Sequence, residues 1–113
     1  MKISELIPSQ QKLDLIFKVE EKTEPREVTT KLDGMFHKVC DVLIGDESGC
    51  IHLSLWDEDI DEVQEGKHYK ITEAYTSLYR NSLTLNKGKY GSLKETEADF
   101  EINTSNNISL KEF

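Results

Sequence analysis

The chain has 113 residues, enough for one domain and too few for two ordinary ones. Its 22 acidic and 14 basic side chains leave a net charge of −8, which at first sight argues against a polyanionic ligand. A domain of this length buries about two thirds of its unfolded surface and needs no metal or disulfide to fold, and no apolar run approaches the roughly 18 residues of a membrane span.

The charge is unevenly spread. Segment 57–65, "DEDIDEVQE", holds six acids and no base, whereas 66–91 holds five bases and one acid. Because charges are screened over roughly 8 Å at physiological salt, a surface ligand feels the local patch before the total. Cys40 and Cys50 lack a CxxC spacing and read as buried free thiols in a reducing compartment. The opening "MKISELIPSQQ" has no signal-peptide core, so the expectation is a soluble cytoplasmic protein.

In chain order, the first alternating run is "KLDLIFKVEEK", with Leu13, Leu15, Phe17 and Val19 on one face. Pro25 and the turn signal Asp33-Gly34 follow. A second strand, "FHKVCDVLIGD", is apolar at both parities, as expected of a bent or doubly buried strand. "GDESG" makes the next turn, with Gly49 expected at positive φ. The third strand, "CIHLSLW", sets Ile51, Leu53 and Leu55 on one side and His52, Ser54 and Trp56 on the other. In "WDEDIDEVQEG" the spacing of Ile60 and Val63 predicts a short helix closed by Gly66.

"KHYKITEAYTSLYR" is a fourth strand, Asn81 marks a tight turn, and "SLTLNKGKYGSLK" is a fifth strand with a glycine-rich kink. The domain is expected over 1–102, with 103–113 as a short polar tail: "NTSNN" reads as loose, and "ISLKEF" as able to dock weakly. Five strands with a helix between the third and fourth is the order of an all-β OB-fold, a Greek-key barrel that binds oligonucleotides or oligosaccharides across its second and third strands.

In such a barrel the Trp56 side of the third strand faces out. Tyr75 and Tyr79 lie around the turn joining strands four and five, near Arg80, Asn81, Asn86, Lys87 and Lys89. Aromatic rings interleaved with cations suit unpaired bases and their phosphates. The same rings also suit a rim that covers the core, and the residues alone leave the two open. Tyr69, Tyr90, Phe17 and Phe36 are assigned mainly to core or rim.

The ordered set Gly45-Asp46 through Gly49, Trp56, Glu65-Gly66, Tyr69, Ile71, and Tyr75 with Tyr79 resembles the single-OB-fold single-stranded DNA-binding proteins of archaea. Their eukaryotic relatives and the DNA-binding domains of replication protein A share the pattern, which covers about residues 2–95. The resemblance implies base stacking by Trp56, Tyr75 and Tyr79. Many relatives have Trp or Phe at the two tyrosine positions, and some carry a long partner-recruiting tail that is not matched here.

On this reading Arg26, Lys31, Lys38, Arg80 and Lys87 meet phosphates, while His52 and Asn86 offer hydrogen bonds. The expected partner is single-stranded DNA, bound without regard to sequence in replication, recombination or repair by a nucleoid-associated monomer, with replication or repair proteins as further partners. Three neutralised phosphates would give a salt slope near −2, at about −0.7 each. An RNA-binding module is one alternative and a protein-interaction subunit, suggested by the acidic segment, is another. No enzyme, cofactor or metal is expected: His37, His52, His68 and the cysteines lack ligand spacing, and "NKGKYGS" lacks the ending of a P-loop.

Overall fold

The computed structural model describes residues 2–29, 31 and 34–110. Its strands are β1 (Leu13–Lys22), β2 (Arg26–Thr29), β3 (Phe36–Asp46), β4 (Gly49–Trp56), β5 (His68–Tyr79), β6 (Ser82–Lys87) and β7 (Leu93–Glu95). Five of them close a barrel in the order β1-β3-β4-β6-β5, with β5 returning to β1. The β4–β6 pair is parallel and the others are antiparallel. This is the all-β OB-fold barrel expected from the strand order.

The alternation of β1 explains its place. Leu13, Leu15, Phe17 and Val19 are buried, while Asp14, Ile16 and Glu20 are exposed. One short strand serves two partners because its register shifts at both ends: Leu13–Lys18 pairs with β5 and Lys18–Lys22 with β3. Such irregularities bend a strand and let a small sheet close on itself. The barrel interior joins Phe17, Ile44, Ile51, Leu53, Leu55, Ile71, Leu83 and Leu85. Phe17 and Tyr69 pack at 6.1 Å between ring centroids, and the Tyr69 hydroxyl accepts the Gln64 N–H at 2.8 Å.

The helix expected after the third strand is a 3-10 helix, Asp57–Glu62, that buries Ile60. It ends before Gly66, which sits at φ 85° in the turn into β5. Gly49 is not at positive φ; its glycine is required because a Cβ there would lie 2.7 Å from the Asn106 carbonyl oxygen. Arg80 and Asn81, at φ 51° and 67°, form the two-residue turn between β5 and β6, a geometry whose twist matches paired strands. β2 has no counterpart among the expected strands: it pairs outside the barrel along β3, making a two-stranded arm. The expected fifth strand is split at its glycine-rich stretch into β6, which joins β4 and β5, and β7, which pairs with the start of β5. In the expected Asp33-Gly34 turn, Gly34 has φ 67° and Asp33 lies outside the described residues.

Residues 103–107, read as loose, and 108–110, read as able to dock weakly, together seal the barrel. Asn103 N–H donates to the Asp46 carbonyl at 2.9 Å, and Cys50 N–H donates to that of Asn106 at 3.0 Å. Ser109 Oγ accepts from His52 N–H and donates to the Leu83 carbonyl, while Ile108 is wholly buried in the core. The reason lies in β4 and β6, which pair only over His52–Ser54 and Thr84–Asn86. Backbone groups before that short ladder need partners, and the polar segment supplies them. The last three residues of "ISLKEF" lie outside the described residues. Ile108→Ala is expected to cost about 2–5 kcal/mol in urea unfolding, as for other buried Ile truncations. A cost near zero would mean that the segment does not hold the barrel.

Candidate nucleic-acid interface

With Ile51, Leu53 and Leu55 turned into the core, His52, Ser54 and Trp56 stand on the outer face of β4. Register carries that face across the sheet. Asp41, Ser54, Asn86 and Tyr75 are successive neighbours on β3, β4, β6 and β5; Leu43, His52, Thr84 and Ser77 make the adjoining row. Val39 pairs with both Trp56 and Arg26, so the face continues onto the β2–β3 arm.

Two adjoining clefts of about 320 Å³ each occupy this surface. One lies between Arg26, Val28, Trp56 and Tyr79, and the other between Trp56, Tyr75, Asp59 and Lys87. Trp56, Ser54 and Asn86 line both. The three aromatic rings are 41%, 41% and 56% exposed for Trp56, Tyr75 and Tyr79, so each offers a face to a ligand. Between them the floor is polar: Asn86 Nδ2 donates to Ser77 Oγ at 3.0 Å, which aims the amide across the cleft.

Trp56 is held at its edge. The His37 ring meets it at 6.2 Å in an edge-on arrangement, and His37 Nδ1 lies 2.6 Å from Asp57 Oδ2. Asp57 also accepts the Lys38 backbone N–H at 3.0 Å and sits at φ 51°, a left-handed conformation that Asp tolerates better than most residues. This kink turns the chain sharply after Trp56 and places the acidic 3-10 helix beside the groove.

The cations divide into two groups. Arg26 forms a 2.8 Å ion pair with Asp41, and Lys87 forms one of 2.9 Å with Asp59. The Asp41 hydrogen bond is the main cause that raises the Arg26 guanidinium above its ordinary value, with smaller contributions from the Tyr79 phenol. Arg80 lies over the Tyr79 ring at 5.4 Å and Lys89 over Tyr90 at 5.6 Å. Neither Arg80 nor Lys89 has a carboxylate partner among the described residues.

The structure thus brings together Trp56, Tyr75, Tyr79, Arg26, Asn86 and Lys87, with Arg80 at the rim. His52 shares the face one row away, where its backbone N–H meets the C-terminal segment. Lys38 alternates with His37 and Val39, so it lies on the opposite face of the arm and not in the groove. Lys31 is exposed in the β2–β3 connection, away from both clefts. Phe36 and Tyr90 are 78% and 83% exposed, so neither belongs to the core. Sequence reasoning missed Asp41, Asp59, His37, Ser77 and the β2 residue Val28. Asp41 had a signal, since it alternates in phase with Val39 on β3. Asp59 had none within a run of acids.

The comparisons with known proteins agree with this architecture. The chain is 29% identical over 98 residues to the single-stranded DNA binding protein Ssb of Saccharolobus solfataricus, a match covering 87% of this chain and 65% of that protein. The chain therefore spans less than two thirds of that relative. The solution structure of a hypothetical protein from Arabidopsis thaliana superposes with a TM-score of 0.82 at 24% identity, covering 100% of this chain and 84% of the other. The second OB-fold domain of replication protein A from Methanococcus maripaludis gives 0.70 at 24% identity, over 89% and 98%. At these identities the two structures establish the fold. Residues 6–95 match the family model described as single-stranded DNA binding protein Ssb-like, OB fold, and the chain belongs to that family.

Proposed function

We propose that this protein binds single-stranded DNA without catalysis, laying unpaired bases on Trp56, Tyr75 and Tyr79 while the backbone runs along the groove rim. The observation that supports this most is the set of three half-exposed aromatic rings on one face, separated by the polar floor of Ser54, Asn86 and Ser77. Water-exposed rings are costly for an isolated barrel and become favourable when bases cover them. Every base has a π-face, so this platform accepts strands of any sequence. Bases in a duplex are already stacked on each other and present no free face to the rings.

The relatives extend the reading. A protein named for single-stranded DNA binding shares 29% identity, and the family carries the same description. Replication, recombination and repair are the processes in which such strands are exposed, and this chain is assigned to them as a binder of the exposed strand.

The lone tryptophan reports directly on the groove. Titration with a short oligo-dT should quench Trp56 fluorescence saturably, with little response to the matching duplex. Equal affinity for the two forms would overturn the proposal. A matched oligo-U competitor measures the preference between DNA and RNA backbones, since both offer bases to the same rings.

Trp56→Ala should weaken oligo-dT binding by about 5- to 150-fold, the equivalent of 1–3 kcal/mol per stacked base, with binding read from a labelled oligonucleotide. Tyr79→Ala should weaken binding similarly, yet change folding stability far less than Phe17→Ala, for which about 3–5 kcal/mol is expected. Unchanged affinity in both ring variants would make these side chains a rim over the core and favour a protein partner.

A further inference from the structure

Of the three cations that line the two clefts, Arg26, Lys87 and Lys89, the first two are already neutralised. Lys87 Nζ lies 2.9 Å from Asp59 Oδ1, with the two side chains only 24% and 27% exposed. On the opposite wall Arg26 meets Asp41 at 2.8 Å. Both acids belong to the interface: Asp59 lines the cleft with Trp56 and Tyr75, and Asp41 begins the row that runs through Ser54 and Asn86 to Tyr75. A groove built only to attract phosphate would hold no carboxylates.

From this geometry we infer that Asp59 and Asp41 are affinity-limiting residues that compete with DNA phosphate for Lys87 and Arg26. The inference rests on the single-stranded DNA reading above and adds what determines the strand's orientation and hold. A phosphate approaching Lys87 must either share the ammonium with Asp59 or displace it, and in each case an anion stays close to another anion. The balanced floor therefore favours base edges, and the phosphates go to Lys89, exposed in the Lys87 cleft, and to Arg80 beyond it, which have no carboxylate partners among the described residues. The strand is held with its bases inward, mainly by stacking. Only modest counterion release accompanies binding, so the bound strand stays easy to shift or displace.

The acids also have a positioning effect. Asp59 projects from the 3-10 helix that follows the kink at Asp57, so its pair with Lys87 ties that helix to β6 across the groove. The Arg26–Asp41 pair, with side chains 45% and 37% exposed, contributes little to folding, whereas the Lys87–Asp59 pair is about three-quarters buried, so thermal melting must accompany its removal.

The test is the affinity of wild type, Asp59→Asn, Lys87→Met and the double variant for a labelled oligo-dT over a range of salt, with thermal melting as a check of folding. Freeing one cation adds roughly −0.7 to the salt slope, so D59N should bind about eightfold tighter near 50 mM salt and about fourfold tighter near 150 mM. In the K87M background the same substitution should gain less than about twofold, because the cation it would release is gone. Asp41→Asn, acting through Arg26 on the other wall, is the independent second variant, with a gain in the same direction.

Unchanged or weaker binding by both D59N and D41N, with wild type binding normally, would overturn this inference alone. A full gain from D59N in the K87M background would also overturn it, since the acid would then act by repulsion without competing for the lysine. Wild type that fails to bind oligo-dT at any salt would instead overturn the DNA-binding reading on which it rests.

Discussion

The structure depends on the inward commitment of one face of β4. Ile51, Leu53 and Leu55 are each at most 1% exposed and sit where the barrel is narrowest in partners, between β3 and the short parallel ladder to β6. Strand alternation then leaves His52, Ser54 and Trp56 no other direction than outward. A one-residue slip would exchange the two sets, burying a histidine and a serine and exposing three apolar chains. The strength of that penalty keeps the groove in register, and the rows that cross from Asp41 to Tyr75 inherit it.

Closure of the barrel contributes the second half of the arrangement. Tyr75 and Tyr79 lie about twenty residues beyond Trp56, yet β6 joins their strand to β4 through Asn86, which pairs with both Ser54 and Tyr75. The parallel ladder is only three residues long, and the segment ending in Leu110 closes the gap before it. Through Ser109 this segment ties β4 to β6 next to that ladder. Its asparagines and serines are used as hydrogen-bond partners for strand backbone, which a reading of composition alone treats as a mark of looseness.

Electrostatics in the groove differ from what the sum of charges suggests. The net charge of −8 is concentrated in segments that the fold places unequally. The acidic 3-10 helix reaches the groove through Asp59, paired with Lys87 on β6, while Asp57 bonds to His37 and the Lys38 backbone on β3. Asp59 and Asp41 therefore stand among the groove's cations, and Lys89 and Arg80 have no carboxylate partners among the described residues.

Much of this was legible in the residues. Period-2 alternation in β1 and β4 identified the core and the outer set, and Asn81 marked a tight turn because asparagine tolerates positive φ. The resemblance to single-stranded DNA-binding proteins, rather than spacing, implied a shared role for Trp56, Tyr75 and Tyr79. The remainder required the fold, because it consists of contacts between residues far apart in the chain. The bond from Ser109 to Leu83, the pairing of Lys87 with Asp59 and of Arg26 with Asp41, and the position of Lys38 on the outer side of the arm all follow from strand pairing. By itself the sequence determined which side chains must leave water, since that choice is made locally by the period of a strand. Only the tertiary structure decided which charges meet, because an ion pair exists only where closure brings two distant side chains within a few ångströms.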